Sequence, residues 1–305
     1  MIRDRCKPSN RATTSRGSVS GPKRARGQAL KVIVVVLAVG LVVGLGFNTV
    51  NRAAWSPYHS TDFTVYLEAG KAVLDGTNIY EAHNVRGWYY LYPPIFAILM
   101  VPFALMNVFW ASLVWYAISV LMLVQAVRVS ARLARGAFPT CRLENFWLCA
   151  LTVLLVLWPL WSGITRGQTS VLVTFLVTIA VSLYVGKRQG LAGLCLAGSI
   201  VVKVAPALLV VYFLGKRRFG IVASTAAWLV LLTVIIPSGV YGVQRNQELL
   251  AQWMTKIARP ANAPEQARYN VLYGQVLNPR LERNQSVQAV MFRWLAGRTE
   301  ATAVP

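Results

Sequence analysis

Long runs of apolar residues alternate with short basic segments along most of the chain. The first run, residues 29–50, contains Lys31 as its only charge and can cross a hydrocarbon core of about 30 Å as a helix. Further apolar runs follow at residues 91–106, 109–127, 146–164, 169–186, 190–214 and 219–240. The pattern predicts an all-α polytopic membrane protein, with about seven apolar segments within residues 29–240.

Polar segments flank and interrupt this predicted transmembrane bundle. Residues 1–28 are rich in Ser, Arg, Gly and Lys, which predicts a disordered basic tail. The positive-inside rule then places the N-terminus in the cytoplasm and the loop of residues 51–87 outside. Residues 241–305 are polar again, and we expect them on the outer face. A signal peptide is the alternative for the first run, but no A-x-A cleavage pattern follows it.

Composition supports the membrane interpretation. Hydrophobic residues make up 56% of the chain and charged residues 13%, against about 45–50% and about 25% in a soluble domain. The net charge of +21 could indicate nucleic acid, but the basic residues lie mostly between apolar runs. We therefore exclude a soluble nucleic-acid binder, a disordered chain and a disulfide-stapled secreted domain, and expect a multi-pass integral membrane protein in contact with lipids.

The cysteines and histidines do not suggest a metal site. The cysteines form no C-x-x-C pair, and the chain contains 2 histidines. Structural zinc sites need closely spaced Cys or His ligands. The cysteines are better interpreted as small buried hydrophobes. No nucleotide-binding motif is present either, so we predict no metal and no other cofactor.

The basic segments constrain the membrane topology. Those at residues 128–142, 187–188 and 216–218 can all lie inside if runs 146–164 and 169–186 form a hairpin whose turn is outside. Run 190–214 then has to consist of two short half-helices, broken near Lys203 and Pro206. Run 91–106 begins with two prolines and is expected to be shallow or re-entrant.

The outer loop contains a predicted amphipathic helix. Phe63, Tyr66, Leu67 and Leu74 recur at helical spacing, which predicts a helix lying on the outer membrane surface. Ser60 or Thr61 can cap its start, and the Asp75-Gly76 pair suits its end. Asp62 falls in the first turn, where the positive end of the helix favours an ionised carboxylate. The alternative is that Asp62 only begins the helix.

Two further segments carry charges that are suited to an anionic ligand. Lys203 lies in the middle of an apolar run, where a charge costs about 2.5–3.5 kcal/mol unless it faces a cavity and a partner. A phosphate is the expected partner, and snorkelling to an interface is the alternative. Arg166 and Gln168 lie in a Gly-flanked turn between two runs, where they can bind an anionic head group. An ordinary loop charge remains the alternative for Arg166.

Taken in order, these segments resemble glycosyltransferase family 87. The matching pieces, spread over about residues 45–295, are Asp62-Phe63-x-x-Tyr66, Gly76-x-x-x-Tyr80, Tyr92-Pro93-Pro94, Gly167-Gln168, Lys203 with Pro206, and Asn284-Gln285-Ser286. Two of these pieces also fit a second interpretation. Tyr92 and its aromatic neighbours could form only an aromatic belt at the membrane interface, and Asn284-Gln285-Ser286 also matches a glycosylation pattern.

The resemblance implies a GT-C-type helical bundle with an outer-face amphipathic helix, in a bacterial plasma membrane. It implies transfer of a hexose, with mannose as the expected sugar, from a polyprenyl-phosphate donor to a lipid-linked or glycan acceptor. Asp62 is then the catalytic base, and Lys203 and Arg166 stabilise the leaving phosphate. Gln168, Tyr92, Asn284 and Gln285 are the remaining expected substrate-binding residues.

Two other functions stay open at this point. A transporter or lipid flippase also fits a broken helix with a buried lysine, although the chain contains no evident inverted repeat. An inactive, truncated transferase is the other alternative, because family members continue past the Asn-Gln-Ser segment into further membrane helices. We therefore expect weak or no activity from the 305-residue chain alone.

Overall fold

A computed structural model describes residues 22–56, 61–137, 145–255 and 287–295. These residues form helices and one isolated β-bridge, between His83 and Tyr89. In chain order, the helices are α1 (Pro22–Val50), a π-helical turn (Asn51–Trp55), α2 (Asp62–Leu74), α3 (Pro94–Ala104), α4 (Val108–Ala137), α5 (Asn145–Leu155), α6 (Leu157–Thr165), α7 (Ser170–Val185), α8 (Gln189–Val202), α9 (Ala207–Gly215), α10 (Phe219–Val230), a second π-helical turn (Leu231–Ile235), α11 (Ile236–Tyr241), α12 (Val243–Trp253) and α13 (Val287–Leu295).

Several of these helices are suited to a membrane. Three helical stretches, Arg26–Trp55, Val108–Ala137 and Phe219–Tyr241, are long and apolar enough to cross one, among the described residues. The pair α5 and α6 provides a fourth span if it is counted as one, although it bends by 68° at its break. The prediction of an all-α integral membrane protein is confirmed.

Contacts within the chain divide it into two units, residues 1–44 and 45–305. The described part of the first unit belongs to α1, and most of its side chains are exposed. The helix begins at Pro22, before the predicted start of the apolar run at residue 29. Proline suits a first helical position, and the Lys, Arg, Ala and Gln that follow are good helix formers. The second unit contains the candidate site.

Run 146–164 differs from the single helix that its apolar pattern suggests. It is divided between α5 and α6, which meet at a break beside Val156. Pro159 lies in the first turn of α6, so it has no N–H to donate to the Leu155 carbonyl four residues earlier, and its ring would clash with that carbonyl in a continuous helix. The bend therefore has a local cause in the sequence.

Run 190–214 is divided into two short helices, as predicted. α8 has 14 residues and α9 has 9, so they are about 21 Å and about 14 Å long at 1.5 Å per residue. Lys203 lies between them with extended backbone. α7 and α8 form a hairpin, which brings the end of α8 back to the start of α7, and Lys203 Nζ donates to Ser170 Oγ at 2.8 Å.

Two basic turns lie at the opposite end of this hairpin. α8 and α10 begin side by side, since a Cβ on Gly220 would meet the Gln189 side chain. Further along α10, Ser224 Oγ and Trp228 Nε1 both donate to the Gly190 carbonyl at 3.1 Å. The turns that precede these helices contain Lys187 and Arg217, which have left-handed backbone with φ of 58° and 54°. The basic segments 187–188 and 216–218 therefore share one end, as expected for segments on one side of a membrane.

The start and end of α2 follow the sequence prediction. Thr61 caps the helix through its side-chain oxygen, which accepts from the Thr64 N–H at 3.4 Å. Asp75 ends the helix, and Gly76 follows it with a φ of 66°. The backbones of α2 and α3 approach closely at Gly70, where a Cβ would lie 3.0 Å from the Met100 carbonyl. The hydrogen-bonding signals at both ends therefore set the length of this helix.

The apolar face of α2 is covered by protein near its start. Phe63 stacks on Trp115 of α4 with ring centroids 5.4 Å apart, and Tyr66 meets Phe96 of α3 edge to face at 5.2 Å. Leu74, which the pattern places on the same apolar face, is 49% exposed at the other end. The predicted position of α2 along an outer membrane surface stays a prediction.

Candidate functional site

The site is built around the first turn of α2, which rests on the turn that follows α6. The backbone N–H groups of Asp62 and Phe63 both donate to the Arg166 carbonyl, at 2.9 and 3.4 Å. These are among the N–H groups that a helix cannot satisfy within itself. The carbonyl of one predicted site residue therefore fixes the backbone of another.

Gly167 permits this close approach. Its φ of 65° is left-handed, and a Cβ at this position would lie 2.6 Å from the Phe63 Cβ. Both the backbone conformation and the available space require glycine here. The turn can then present Arg166 on one side of Gly167 and Gln168 on the other, close to the start of α2.

Trp115 of α4 also contacts this turn. Its indole Nε1 donates to the Gly167 carbonyl at 3.1 Å in a buried hydrogen bond. The same ring stacks on Phe63. Trp115 therefore contacts both the turn and α2, and it fixes their relative positions.

The Asp62 carboxylate lies among one hydrogen-bond donor and three positive charges. Burial raises the pKa of Asp62 above its ordinary value, and this is the largest effect. The hydrogen bond from Gln168 opposes this rise in pKa, as do the charges of Arg166, Lys203 and Arg52, in that order. The positive end of α2 also favours the ionised form. Asp62 is thus a partly desolvated carboxylate that is held close to cations.

A chain of hydrogen bonds connects Asp62 with Lys203. Lys203 Nζ donates to Ser170 Oγ at 2.8 Å, and Ser170 Oγ donates to Gln168 Oε1 at 3.5 Å. Because the Gln168 oxygen accepts from Ser170, the amide nitrogen is the group that donates to the Asp62 carboxylate. The end of α8 and the turn after α6 are thereby connected to α2.

Tyr92 joins the site through its hydroxyl group. Its oxygen lies 3.0 Å from the Tyr66 hydroxyl and 3.4 Å from Thr169 Oγ1. Burial raises the pKa of Tyr92, so its hydroxyl remains neutral and able to donate. Tyr92 therefore lies between α2 and the start of α7.

The Gly76-x-x-x-Tyr80 segment holds the backbone of Tyr92 in place. The Tyr80 hydroxyl donates to the Tyr92 carbonyl at 3.2 Å. Helix α12 holds the same loop, since Trp253 Nε1 donates to the Leu91 carbonyl at 3.2 Å. This explains in physical terms why a glycine turn and a tyrosine precede Tyr92 at this spacing.

The structure brings together most of the residues that the sequence singles out. Asp62, Arg166, Gln168, Lys203 and Tyr92 all lie at the start of α2 or are linked to it through the contacts above. Asn284 and Gln285 lie outside the described residues. Three further residues belong to the site although no sequence pattern pointed to them: Arg52, Ser170 and Trp115. Arg52 is the first charge after the first apolar run, which is the one signal that could have identified it.

A separate cavity of about 440 Å³ lies on the other side of α2, lined in part by Thr64, Glu68 and Lys71. At 100° per residue, these side chains face away from Asp62. Glu68 and Lys71 form an exposed ion pair with each other at 2.8 Å. The cavity therefore does not connect with the carboxylate through the helix, and we do not assign it to the site.

Potential metal ligands do not cluster in the part of the chain that the structure describes. No group of three His, Cys, Asp or Glu side chains there could hold an ion. Cys149 and Cys195 are free thiols. The groups that are assembled around Asp62 are suited to a ligand with an anionic part and hydroxyl groups.

Comparison with known proteins gives a family and several relatives. A sequence model described as glycosyltransferase family 87 matches residues 90–304. That range includes Tyr92, Arg166, Gln168 and Lys203, whereas Asp62 precedes it. No solved structure matches the chain.

The relatives are mannosyltransferases of mycobacteria. A polyprenol-phosphate-mannose-dependent alpha-(1-2)-phosphatidylinositol mannoside mannosyltransferase of Mycobacterium tuberculosis is 33% identical over 202 residues, which are 60% of this chain and 46% of that protein. Its namesake in Mycolicibacterium smegmatis is 30% identical over 215 residues, or 65% and 47%. A phosphatidylinositol pentamannoside mannosyltransferase of M. tuberculosis is 28% identical over 229 residues, or 69% and 49%. The chain spans just under half the length of these relatives.

Proposed function

The chain belongs to glycosyltransferase family 87, and on that premise we propose that it is an integral membrane hexosyltransferase. The donor is a sugar on a polyprenyl phosphate, and the acceptor is a hydroxyl group of a lipid-linked or glycan substrate. Mannose is the proposed sugar, because the relatives are named for dependence on polyprenol-phosphate-mannose. Their names also give phosphatidylinositol mannosides as acceptors, which is the acceptor class we propose.

One observation carries the proposal: a single carboxylate lies among three cations at the meeting point of separate segments. Asp62 comes from α2, Arg166 from the turn after α6, Lys203 from the end of α8 and Arg52 from the turn after α1. One carboxylate does not balance three positive charges. A phosphate is the ligand that the excess of positive charge favours, and a carboxylate beside it can take a proton.

The reaction assigns a separate role to each kind of group. The oxygen of the acceptor hydroxyl attacks the anomeric carbon of the sugar, and its proton passes to the Asp62 carboxylate. The bond between that carbon and the phosphate oxygen breaks, and its electron pair stays on the polyprenyl phosphate. Asp62 acts as the base, and its raised pKa makes it a better proton acceptor than an ordinary aspartate.

The cations act on the phosphate. Polyprenyl phosphate leaves without protonation if its new charge is stabilised, and preorganised cations provide this without reorganisation. Lys203 is held by Ser170 at 2.8 Å, and the backbone of Arg166 is fixed to α2. We assign Gln168 to orienting the Asp62 carboxylate and Tyr92 to hydrogen bonding with a sugar hydroxyl. Asn284 and Gln285 stay predicted substrate contacts.

We further propose that the protein lies in a bacterial plasma membrane with its N-terminus in the cytoplasm. Two basic turns share the end of α7–α10 that is remote from Asp62, which supports placing that end inside and the site outside. A cysteine introduced by Arg86→Cys, in a variant without native cysteines, should react with a membrane-impermeant maleimide in intact cells. Arg188→Cys should react only after lysis, and the reverse pattern contradicts this orientation.

Asp62→Asn tests the proposed base. The substitution is nearly isosteric and suits a helix start, but an amide cannot accept the proton. We expect transfer of mannose from polyprenyl-phosphate mannose to fall by about 10²-fold or more, with donor binding little changed. The measurement uses membranes containing the protein and a radiolabelled donor, with phosphatidylinositol mannoside as the acceptor.

Asp75→Asn is the matched control, because Asp75 is exposed at the other end of the same helix. It should leave the rate unchanged. Wild-type turnover in Asp62→Asn would remove Asp62 as the base. Transfer from nucleotide sugars alone would overturn the proposed donor, and so would a wild-type protein that neither binds nor uses polyprenyl-phosphate mannose.

A further inference from the structure

Arg52 lies on a segment that is fixed to the candidate site. It belongs to the π-helical turn Asn51–Trp55, directly after α1. Thr49, just before this turn, donates its hydroxyl to the Leu45 carbonyl at 2.8 Å and to the Ile164 carbonyl at 3.4 Å. Ile164 belongs to the end of α6, just before Arg166. The segment that carries Arg52 is thereby attached to the element that carries Arg166.

Exposed aromatic side chains lie in and around this turn, as is typical of a membrane interface. Phe47 is 66% exposed, Trp55 is 58% exposed and Trp110 is 57% exposed. The Trp55 ring lies 5.5 Å from that of Phe109 and 6.3 Å from that of Phe47. Exposed aromatic side chains near the end of a spanning helix are typical of the level of the lipid head groups. Arg52 lies three residues before Trp55, so we infer that it lies at the level of the lipid phosphates.

Arg52 is available to such a phosphate. In the described part of the chain it forms no ion pair, and neither does Arg166. Arg52 is half-buried, so its charge is partly withdrawn from water, and Asp62 acts on it only through the electrostatic field and not through an ion pair. A guanidinium is suited to a phosphate, because its N–H groups can form two parallel hydrogen bonds with phosphate oxygens.

We propose that Arg52 binds the phosphate of the lipid-linked donor at the membrane interface, and that this contact strengthens as the phosphate becomes the leaving group. The proposal rests on the proposed function, since it assigns a further residue to the same reaction. It adds a distinction between Arg52 and the other two cations, which act more strongly on Asp62.

The charge balance of the reaction explains why the contact between Arg52 and the phosphate strengthens as the phosphate leaves. The donor is a phosphodiester with one negative charge, and Asp62 carries a second. When the sugar is transferred, the proton neutralises Asp62, and the electron pair of the broken bond leaves a phosphate monoester with up to two negative charges. Negative charge therefore moves from the carboxylate to the phosphate. A cation beside the phosphate stabilises the transition state and the product more than it stabilises the bound donor.

The test compares the binding of donor and product. Arg52→Gln protein is reconstituted in lipid nanodiscs, and its affinities for polyprenyl-phosphate mannose and polyprenyl phosphate are measured at pH 8, where the monoester is doubly charged. Coulomb energy is proportional to charge. We therefore expect the affinity for polyprenyl phosphate to fall by about 10-fold or more, and the affinity for the donor to fall distinctly less.

Two further variants separate charge from structure. Arg52→Lys keeps the charge and should restore part of the preference for the product. Arg245→Gln removes an arginine that pairs with Glu248 on an exposed helix surface, and it should change neither affinity. A purely structural role for Arg52 predicts an equal loss of affinity for both ligands, and that result would overturn the proposal.

The outcomes also distinguish this inference from the proposed function. If the wild-type protein binds both ligands and Arg52→Gln behaves like Arg245→Gln, the role of Arg52 is wrong and the function stands. If the wild-type protein binds neither polyprenyl phosphate nor its mannose ester, the proposed function fails, and the role of Arg52 fails with it.

Discussion

Two packed regions of the molecule, one around α2 and one among α7–α10, hold their helices together by different contacts. Around α2 the core is rich in aromatic residues, which include Phe63, Tyr66, Tyr90, Phe96 and Trp115. Between α7 and α10 it consists mainly of small and aliphatic residues, Ala180, Ala192, Leu196 and Ile221, with Phe213. The first region contains the candidate site, and the second contains the basic turns at its far end.

The two regions differ in whether hydrogen bonds from side chains position other parts of the chain. In the aromatic region, Trp115 and Tyr80 donate buried or half-buried hydrogen bonds to carbonyls that position Arg166–Gln168 and Tyr92. In the aliphatic region, α8 and α10 approach through Gly193, which is the usual way that helices pack in lipid. Aromatic rings with hydrogen bonds fix a geometry, whereas small residues allow close contact. Catalysis by Asp62 should therefore depend on the first region far more than on the second.

Gly167→Ala should have the largest effect, because it acts on the turn beside Asp62. The left-handed backbone costs an L-residue about 1–2 kcal/mol, and the overlap with Phe63 adds about 1–3 kcal/mol of overpacking. We expect loss of most transfer activity, together with a lower unfolding temperature in detergent. Gly163→Ala is the control, since a Cβ there meets nothing within 4 Å and alanine favours a helix. Equal behaviour of the two variants would contradict the role of the turn.

Gly193→Ala tests the aliphatic region. A Cβ there would lie 2.8 Å from the Thr225 backbone nitrogen and closer still to the Ser224 side chain. We expect a stability loss of about 1–3 kcal/mol, measured by thermal unfolding. The activity of the molecules that remain folded should change little. Gly198→Ala on the same helix should be tolerated, because its Cβ would make ordinary contact with Leu176 at 3.5 Å. A loss of donor affinity in Gly193→Ala would show that the two regions are coupled.

A smaller effect is expected from Trp115→Phe, which removes one hydrogen bond and keeps an aromatic ring against Phe63. The loss of a buried hydrogen bond costs about 0.5–1.5 kcal/mol, and we expect it mainly as a reduced kcat, because the turn that positions Arg166 and Gln168 loosens. Trp228→Phe is the matched control, since its indole also donates to a glycine carbonyl at 3.1 Å, but at an exposed position of the basic end. Equal kcat values in the two variants would contradict a positioning role for Trp115.

Local signals made much of the site predictable from the sequence. Thr61 and the Asp75-Gly76 pair determine the ends of α2, because caps act through neighbouring backbone groups. The break at Lys203 was predictable because a charge and a nearby proline in an apolar run oppose a continuous membrane helix. The Gly-flanked turn of Arg166 was predictable for the same local reason.

The remaining site residues depend on tertiary contacts that periodicity does not contain. Trp115 belongs to a 30-residue apolar helix in which a pattern cannot separate a lipid-facing tryptophan from one that donates to Gly167. Ser170 gains its role only because the α7–α8 hairpin returns Lys203 to it. In the sequence, Arg52 is indistinguishable from an ordinary charge at the end of a spanning helix. Only the hydrogen bond from Thr49 to the Ile164 carbonyl shows that its segment is connected to the site.

The smallest effect we predict is a shift in pH dependence on Gln168→Leu. Burial raises the pKa of Asp62, and the hydrogen bond from Gln168 is the strongest of the effects that hold this pKa down. Without that bond the pKa rises further, and the base is protonated over more of the acidic range. Because Asp62 must be ionised to accept the proton, the acidic limb of the kcat/KM profile should move to higher pH, while activity at alkaline pH is largely retained. Gln189→Leu, at an exposed position of the basic end, should leave the profile unchanged. An unmoved acidic limb in Gln168→Leu would show that the limb reports a group other than Asp62.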